Sequence, residues 1–134
     1  MNEDFKTQIL NVFAEFFEQY VFSVHDFSYD SRNFGNAVLI LNSTHIDIRF
    51  IKDRGQVFID IKPSSDVIWF RLEDILSLIP SSEVNSRDYI SHDLEKSSEL
   101  INQFYEEITD LFRGEEYSLT KRRVDHLINE RRLR

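Results

Sequence analysis

The chain has 134 residues, of which 41% are hydrophobic and 30% charged, and it contains no cysteine. This length and composition predict one soluble globular domain, residues 1–134, with a core that needs no covalent staples. The lack of cysteine excludes a disulfide framework and a thiolate metal site, and the acidic, polar start of the sequence is not that of a signal peptide. No stretch approaches the roughly 20 apolar residues of a membrane span, so we expect a cytoplasmic protein without a membrane partner.

The net charge of −8 is unevenly distributed along the chain. Residues 121–134 contain six basic and two acidic residues and carry +4, which leaves −12 for residues 1–120. An acidic body repels nucleic acid and attracts basic partners. The charge therefore disfavours nucleic acid as a ligand and favours a basic protein, while the basic end suits a helix C-terminus.

A helix is expected at the amino terminus, with Asn2 as its cap. Its apolar residues recur three and four positions apart and form one stripe that faces a core: Phe5, Ile9, Val12, Phe13, Phe16, Phe17 and Tyr20. Val21–Tyr29 alternates roughly and is a candidate edge strand. Asp30–Asn36 follows as a loop.

Three strands are expected in the middle of the chain. Ala37–Leu41 is apolar at every position, as in a strand that is covered on both faces. Thr44–Ile51 and Gln56–Lys62 alternate between apolar and polar residues, which is the period of a strand with one buried face. The hairpin between them has Gly55 for a positive φ and Asp53 to accept local backbone hydrogen bonds.

The carboxy-terminal half is predicted to be mostly helical. Val67–Phe70 is a candidate fourth strand, and the short helix after it ends at Pro80. A long helix capped by Ser86 is expected to stop at Gly114, and a last, highly charged helix begins at about Ser118. The expected fold is α+β: an N-terminal helix, an antiparallel three- to five-stranded meander, and two or three C-terminal helices packed on one face.

Few residues are arranged for chemistry. The chain has no glycine-rich phosphate loop and no nucleophile elbow, and its histidines lack the spacing of a metal site. The histidines are His25, His45, His92 and His126. We therefore expect no cofactor, no metal and no enzymatic activity.

One alternative gives the sheet an active site. Asp60-Ile61-Lys62, preceded across the hairpin by Asp47 or Asp53, resembles the D…(D/E)-x-K signature of restriction-endonuclease-like nucleases. That resemblance implies that Asp47 and Asp60 hold Mg²⁺ and that Lys62 orients the attacking water. The polar face of an amphipathic sheet explains the same residues, and the acidic body opposes a phosphate backbone.

A second resemblance points to binding. The segment IDIRFIKDRGQVFIDIK, followed by VIWFRLEDILSLI, resembles small bacterial proteins of the polymorphic-toxin immunity type, over roughly residues 38–79. It implies a non-catalytic protein that neutralises a cognate toxin, often a nuclease, whose basic cleft an acidic surface would complement. The candidate partner-binding residues, chosen by charge and expected exposure, are Asp47, Asp53, Asp60, Glu73 and Asp74.

A third alternative is a homo-oligomer. The phenylalanine-rich first helix or the basic tail would then be buried between copies of the chain. The sequence also leaves open whether residues 115–134 dock on the core or project from it.

Overall fold

The structure, a computed structural model, describes residues 3–32 and 35–133. It confirms the α+β fold: an N-terminal helical segment, an antiparallel sheet of five strands and C-terminal helices. The elements are α1 (Glu3–Val12), α2 (Ala14–Gln19), β1 (Ser23–Asp30), β2 (Asn36–Asn42), β3 (Ile46–Asp53), β4 (Gln56–Pro63), β5 (Phe70–Arg71), α3 (Leu72–Ser77), α4 (Leu94–Gln103), α5 (Tyr105–Leu111) and α6 (Gly114–Arg132), with 3₁₀ turns at Pro80–Ser82 and Ile90–His92.

The amino-terminal stripe forms two helices instead of one. Phe13 leaves helical geometry, with φ −98° and ψ 11°, and separates α1 from α2. Its ring is nevertheless fully buried and meets Phe50 edge-on, with 5.0 Å between ring centroids. The stripe is thus core, as predicted, while Asn2 lies outside the described residues.

The strands follow one another across the sheet in chain order, β1 to β5, so the sheet is a simple meander. The candidate edge strand is present as β1, with a bulge between Val24 and Asp26. The fourth-strand prediction over Val67–Phe70 is wrong in extent, because only Phe70–Arg71 pairs with β4. The residues just before Phe70 have no regular secondary structure.

The two faces of the sheet differ sharply. One face, which we call the helix-side face, carries rows of buried apolar residues such as Leu39, Phe50 and Ile59. The opposite face, which we call the outer face, has three rows across the strands. They are Ser28–Val38–Ile51–Phe58, Asp26–Ile40–Arg49–Asp60–Arg71 and Asn42–Asp47–Lys62.

The predicted long helix is also divided. Ser86 is not its cap: α4 begins after Asp93, whose side chain accepts a hydrogen bond from the backbone N–H of Lys96 at 3.0 Å. Phe104 separates α4 from α5. Gly114, with φ +51°, marks the start of α6, about four residues earlier than predicted.

Helix α6 docks on the rest of the fold. Val124 is buried in the core, and the hydroxyl of Thr120 donates to the carbonyl of Leu111 at 2.7 Å. Near its end, Arg131 binds the carboxylate of Asp74 on α3. Among the described helices, none is long and apolar enough to cross a bilayer.

Candidate partner-binding surface

The structure separates the five acidic residues that the sequence singled out. Only Asp53 is exposed, at the hairpin between β3 and β4. Asp47, Glu73 and Asp74 are 7%, 3% and 1% exposed, and the side chain of Asp60 is 14% exposed. The expected exposure is therefore wrong for four of the five. Their proposed contact with a partner stays a prediction that the structure does not test.

Asp47 is buried because a lysine and a turn enclose it. It lies opposite Lys62 on the outer face, and the Lys62 Nζ donates to Asp47 Oδ2 at 2.8 Å. The same ammonium donates to the backbone carbonyl of Asp66 at 2.6 Å, and the Ser64 hydroxyl lies 3.0 Å from Asp47 Oδ1. The turn after β4 therefore folds over the ion pair and excludes solvent from it.

Asp60 has an arginine partner on the neighbouring strand. Arg49 donates to Asp60 Oδ2 through Nε at 3.1 Å and Nη2 at 2.7 Å. The ring of Trp69 lies over the Arg49 guanidinium at 4.6 Å and within 5.3 Å of the Lys62 ammonium, a cation–π arrangement. Burial raises the pKa of the Asp60 carboxyl, although the Arg49 hydrogen bond opposes that rise.

Glu73 and Asp74 lie on α3, which is covered on every side. Both oxygens of Asp74 accept from Arg131 on α6, at 2.6 and 3.1 Å, and Glu73 accepts from the backbone N–H of Ser91 at 2.9 Å. Arg71 lies 3.7 Å from Asp74 and 3.9 Å from Glu73. Arg71 thus lies near both buried carboxylates and Arg131 binds Asp74, so each buried charge has a basic neighbour.

The residues of the nuclease alternative belong to two separate ion pairs. Asp47 is bound to Lys62 and Asp60 to Arg49, so the two carboxylates sit diagonally on neighbouring strands with different cations. Lys62 already donates to a carboxylate and a carbonyl. Within residues 3–32 and 35–133, no three acidic or histidine side chains are grouped so that they could hold a metal ion. No contact among the described residues therefore supports the nuclease alternative.

Exposed acidic residues gather on the helices instead. Within the described segments 14–19 and 94–116, nine acidic residues are exposed, against two exposed basic residues, Lys96 and Arg113. The nine are Glu15, Glu18, Glu95, Glu99, Glu106, Glu107, Asp110, Glu115 and Glu116. We call these nine residues the acidic surface. Six of them lie in the first turn of a helix, where the positive end of the helix dipole favours a carboxylate.

The helices that carry the acidic surface contact one another. Tyr20, at the end of α2, stacks on Tyr105 of α5 with 3.6 Å between ring centroids. The Ser98 hydroxyl of α4 donates to the carbonyl of Val12 at 3.4 Å. Helices α2, α4 and α5 are therefore neighbours, and α6 begins three residues after α5 ends. The charges of acids on neighbouring helices add in the solvent beside them.

A groove lies between the junction of α1 with α2 and the face of α4. Its volume is about 450 Å³, and Val12 and Phe16 contribute its apolar part. Glu15 and Glu99 contribute carboxylates, with Asn11, Asn102 and Ser98 among the other lining residues. A groove of this chemistry suits the aliphatic stem and charged head of a lysine or arginine side chain.

The acidic surface has a signal in the sequence. Glu95 and Glu99, and likewise Glu106 and Asp110, are four residues apart and lie opposite the apolar stripe of their helices. The alternation of the strands is the stronger pattern in the sequence, and it favours candidate residues on the sheet. Comparisons with family models, curated proteins and solved structures gave no match to this chain.

Proposed function

We propose that this chain is a non-catalytic cytoplasmic protein that binds a basic protein partner through the acidic surface. The observation that carries the proposal is the concentration of nine exposed acids on neighbouring helices, two of which, Glu15 and Glu99, line a groove. The toxin-immunity resemblance supplies the partner class: a basic toxin domain that the chain would neutralise by occupying its active cleft.

The pairing of acids on the sheet and on α3 supports the same surface. Asp47, Asp60 and Asp74 each bind a basic side chain of the same molecule, so much of their charge is cancelled internally. The net negative charge that a partner meets therefore comes mainly from the helices. Such a field speeds diffusional association with a basic partner, and the effect weakens as salt increases.

The test uses the proteins encoded beside this chain's gene. We expect that a basic protein from an adjacent gene inhibits growth when expressed alone, and that co-expression of this chain restores growth. The purified pair should associate with a rate constant that falls steeply between low and physiological salt.

A matched pair of variants locates the surface. Glu15→Gln with Glu99→Gln removes two acids from the groove, whereas Glu83→Gln with Asp125→Asn removes two exposed acids outside it. We expect the first variant to slow association and reduce its salt dependence, and the second to have the smaller effect. Equal effects of the two would place binding elsewhere, and the lack of a growth-inhibiting neighbour would count against the toxin-immunity assignment.

A further inference from the structure

Strand β1 forms an open edge of the sheet. It is eight residues long, and seven of the eight are exposed. Among the described strands only β2 pairs with it, so its outer row of backbone N–H and C=O groups faces away from the sheet. An edge of this kind is a ready template for another strand.

The opposite edge is closed. Strand β5 has only two residues, and beside it the segment before α4 lies against the remainder of β4. There the ring of Phe58 meets that of His92 edge-on at 5.1 Å, and Tyr89 stacks on His92 at 5.0 Å. The fold thus covers one edge of the sheet and leaves the other available.

The devices that usually block an edge are few in β1. The strand contains neither proline nor lysine, and its bulge lies near one end, which leaves Asp26–Asp30 in regular register with β2. Val24 and Tyr29 lie on the helix-side face and are still 43% and 38% exposed. Apolar area therefore remains beside the open backbone.

The side chains of β1 define what could pair with it. Asp26, Ser28 and Asp30 point to the outer face, and Phe27 and Tyr29 point to the helix-side face. A strand lying beside β1 would place its own side chains next to these, and opposite charges stabilise such cross-strand pairs. Complementarity therefore requires basic residues on the outer face and apolar residues on the other.

We infer that β1 is a docking edge for an extended segment of another protein in which basic and apolar residues alternate. The segment would extend the sheet by a sixth strand, with main-chain hydrogen bonds for affinity and alternate side chains for selectivity. The inference does not rest on the proposed function, because β1 shares no residue with the acidic surface. A second copy of the chain is a poorer occupant, since β1 contains no lysine or arginine that could face Asp26 of the other copy.

Disulfide tethering tests this inference, because the chain has no cysteine of its own. Ser23→Cys places one thiol at the exposed start of β1. The probes are three synthetic peptides with a terminal cysteine and a short glycine linker: alternating Lys-Val, alternating Glu-Val, and the Lys-Val peptide with a central proline. Tethering raises the effective concentration of a weakly binding strand to a measurable level.

We expect the Lys-Val peptide to form the mixed disulfide about tenfold more favourably than either other peptide, and to slow hydrogen exchange of β1 amides. Ser118→Cys, on an exposed site of α6, should show no preference for the uninterrupted peptide over its proline version. Asp26→Asn with Asp30→Asn should remove the preference for lysine over glutamate.

Three results would overturn the inference. Equal tethering of the proline-interrupted and uninterrupted peptides would mean that charge alone attracts them. Equal tethering of the lysine and glutamate peptides would exclude a basic segment. Dimerisation of the unmodified chain in sedimentation measurements, abolished by Phe27→Pro but not by the Asp-to-Asn changes, would identify a second copy as the occupant.

Discussion

The two faces of the sheet are built from the same strands and are stabilised differently. The helix-side face places mainly apolar residues, such as Leu39, Phe50 and Ile59, against the helices. The outer face holds the ion pairs Asp47–Lys62 and Asp60–Arg49. Alternation therefore identifies which residues point away from the core, but it does not say whether those residues reach solvent.

The largest effect on stability is expected at Phe50, and Phe58 on the adjacent strand is the matched comparison. Phe50 is fully buried against Phe13 and Phe17, whereas Phe58 is half-buried on the outer face. Phe50→Ala should lower the free energy of unfolding by about 3–5 kcal/mol, and Phe58→Ala by about 1 kcal/mol. Urea titrations followed by circular dichroism measure both. Equal losses would mean that the two faces are packed alike.

The next largest effect is expected at the ion pair that joins α3 to α6. Asp74 is buried and binds Arg131 in a bidentate pair, with Arg71 nearby. Asp74→Ala leaves both arginines without that carboxylate and should cost about 2–3 kcal/mol, below the usual range for a fully buried pair because Arg131 keeps some contact with water. Arg132→Ala, at an exposed position of the same helix end, should change stability by less than about 0.5 kcal/mol.

Much of the fold could be predicted from local patterns. The alternation in Thr44–Ile51 and Gln56–Lys62 corresponds to β3 and β4, and Gly55 has the positive φ that the hairpin requires. The helix breaks at Phe13 and Phe104 could not be predicted, because neither glycine nor proline marks them and the apolar stripe continues through both. Tertiary packing decides such breaks, and local sequence does not record it.

The burial of the predicted site residues could not be predicted from local patterns either, for a related reason. The stripe of α3 assigns Asp74 to a solvent face, yet Arg131, 57 positions later in the chain, covers it. Asp47 is likewise enclosed by Ser64, 17 positions away. A hydrophobic period describes one element at a time, whereas exposure depends on which elements pack together.

A smaller effect is expected at Trp69, which covers the outer-face cations. Its ring contacts Arg49 and Lys62 from above, so Trp69→Leu keeps an apolar side chain and removes the cation–π contacts. The expected loss of stability is about 1–2 kcal/mol. Ile68→Ala, at an exposed neighbour, is the control and should cost less than that. Circular dichroism is the suitable probe, since Trp69 is the sole tryptophan.

The contributions of two aspartates to the free energy of unfolding should depend on pH in opposite directions. Burial raises the pKa of Asp60 above its ordinary 3.8, so the folded state binds a proton more readily than the unfolded state. The stability of the native chain relative to Asp60→Asn should therefore fall as pH rises from 3.8 through the raised pKa. A flat difference across that window would show that the Arg49 hydrogen bond cancels the effect of burial on the pKa of Asp60.

The contribution of Asp66 to stability should change with pH in the opposite direction. Its carboxylate accepts from the Tyr117 hydroxyl at 2.6 Å and from the backbone N–H of Val67 at 2.7 Å, and these bonds lower its pKa below 3.8. Its contribution is present above pH 3.8 and is lost as pH falls through the lowered pKa. The stability of the native chain relative to Asp66→Asn should thus decrease on acidification, the reverse of the Asp60 comparison.

The smallest effect is expected at Asp53, the exposed member of the five predicted acids. Its side chain accepts only a long hydrogen bond from Asn36, at 3.3 Å, on the surface. Asp53→Asn should change the free energy of unfolding by less than about 0.5 kcal/mol, because an exposed carboxylate gives up little when it is neutralised. Asp47→Asn, at a buried position of the same strand, should cost clearly more, since Lys62 then lacks a charged partner. Asp53 is therefore the member of the set whose effect on partner binding can be measured without unfolding the chain, and a large destabilisation by Asp53→Asn would contradict the exposed position of the hairpin.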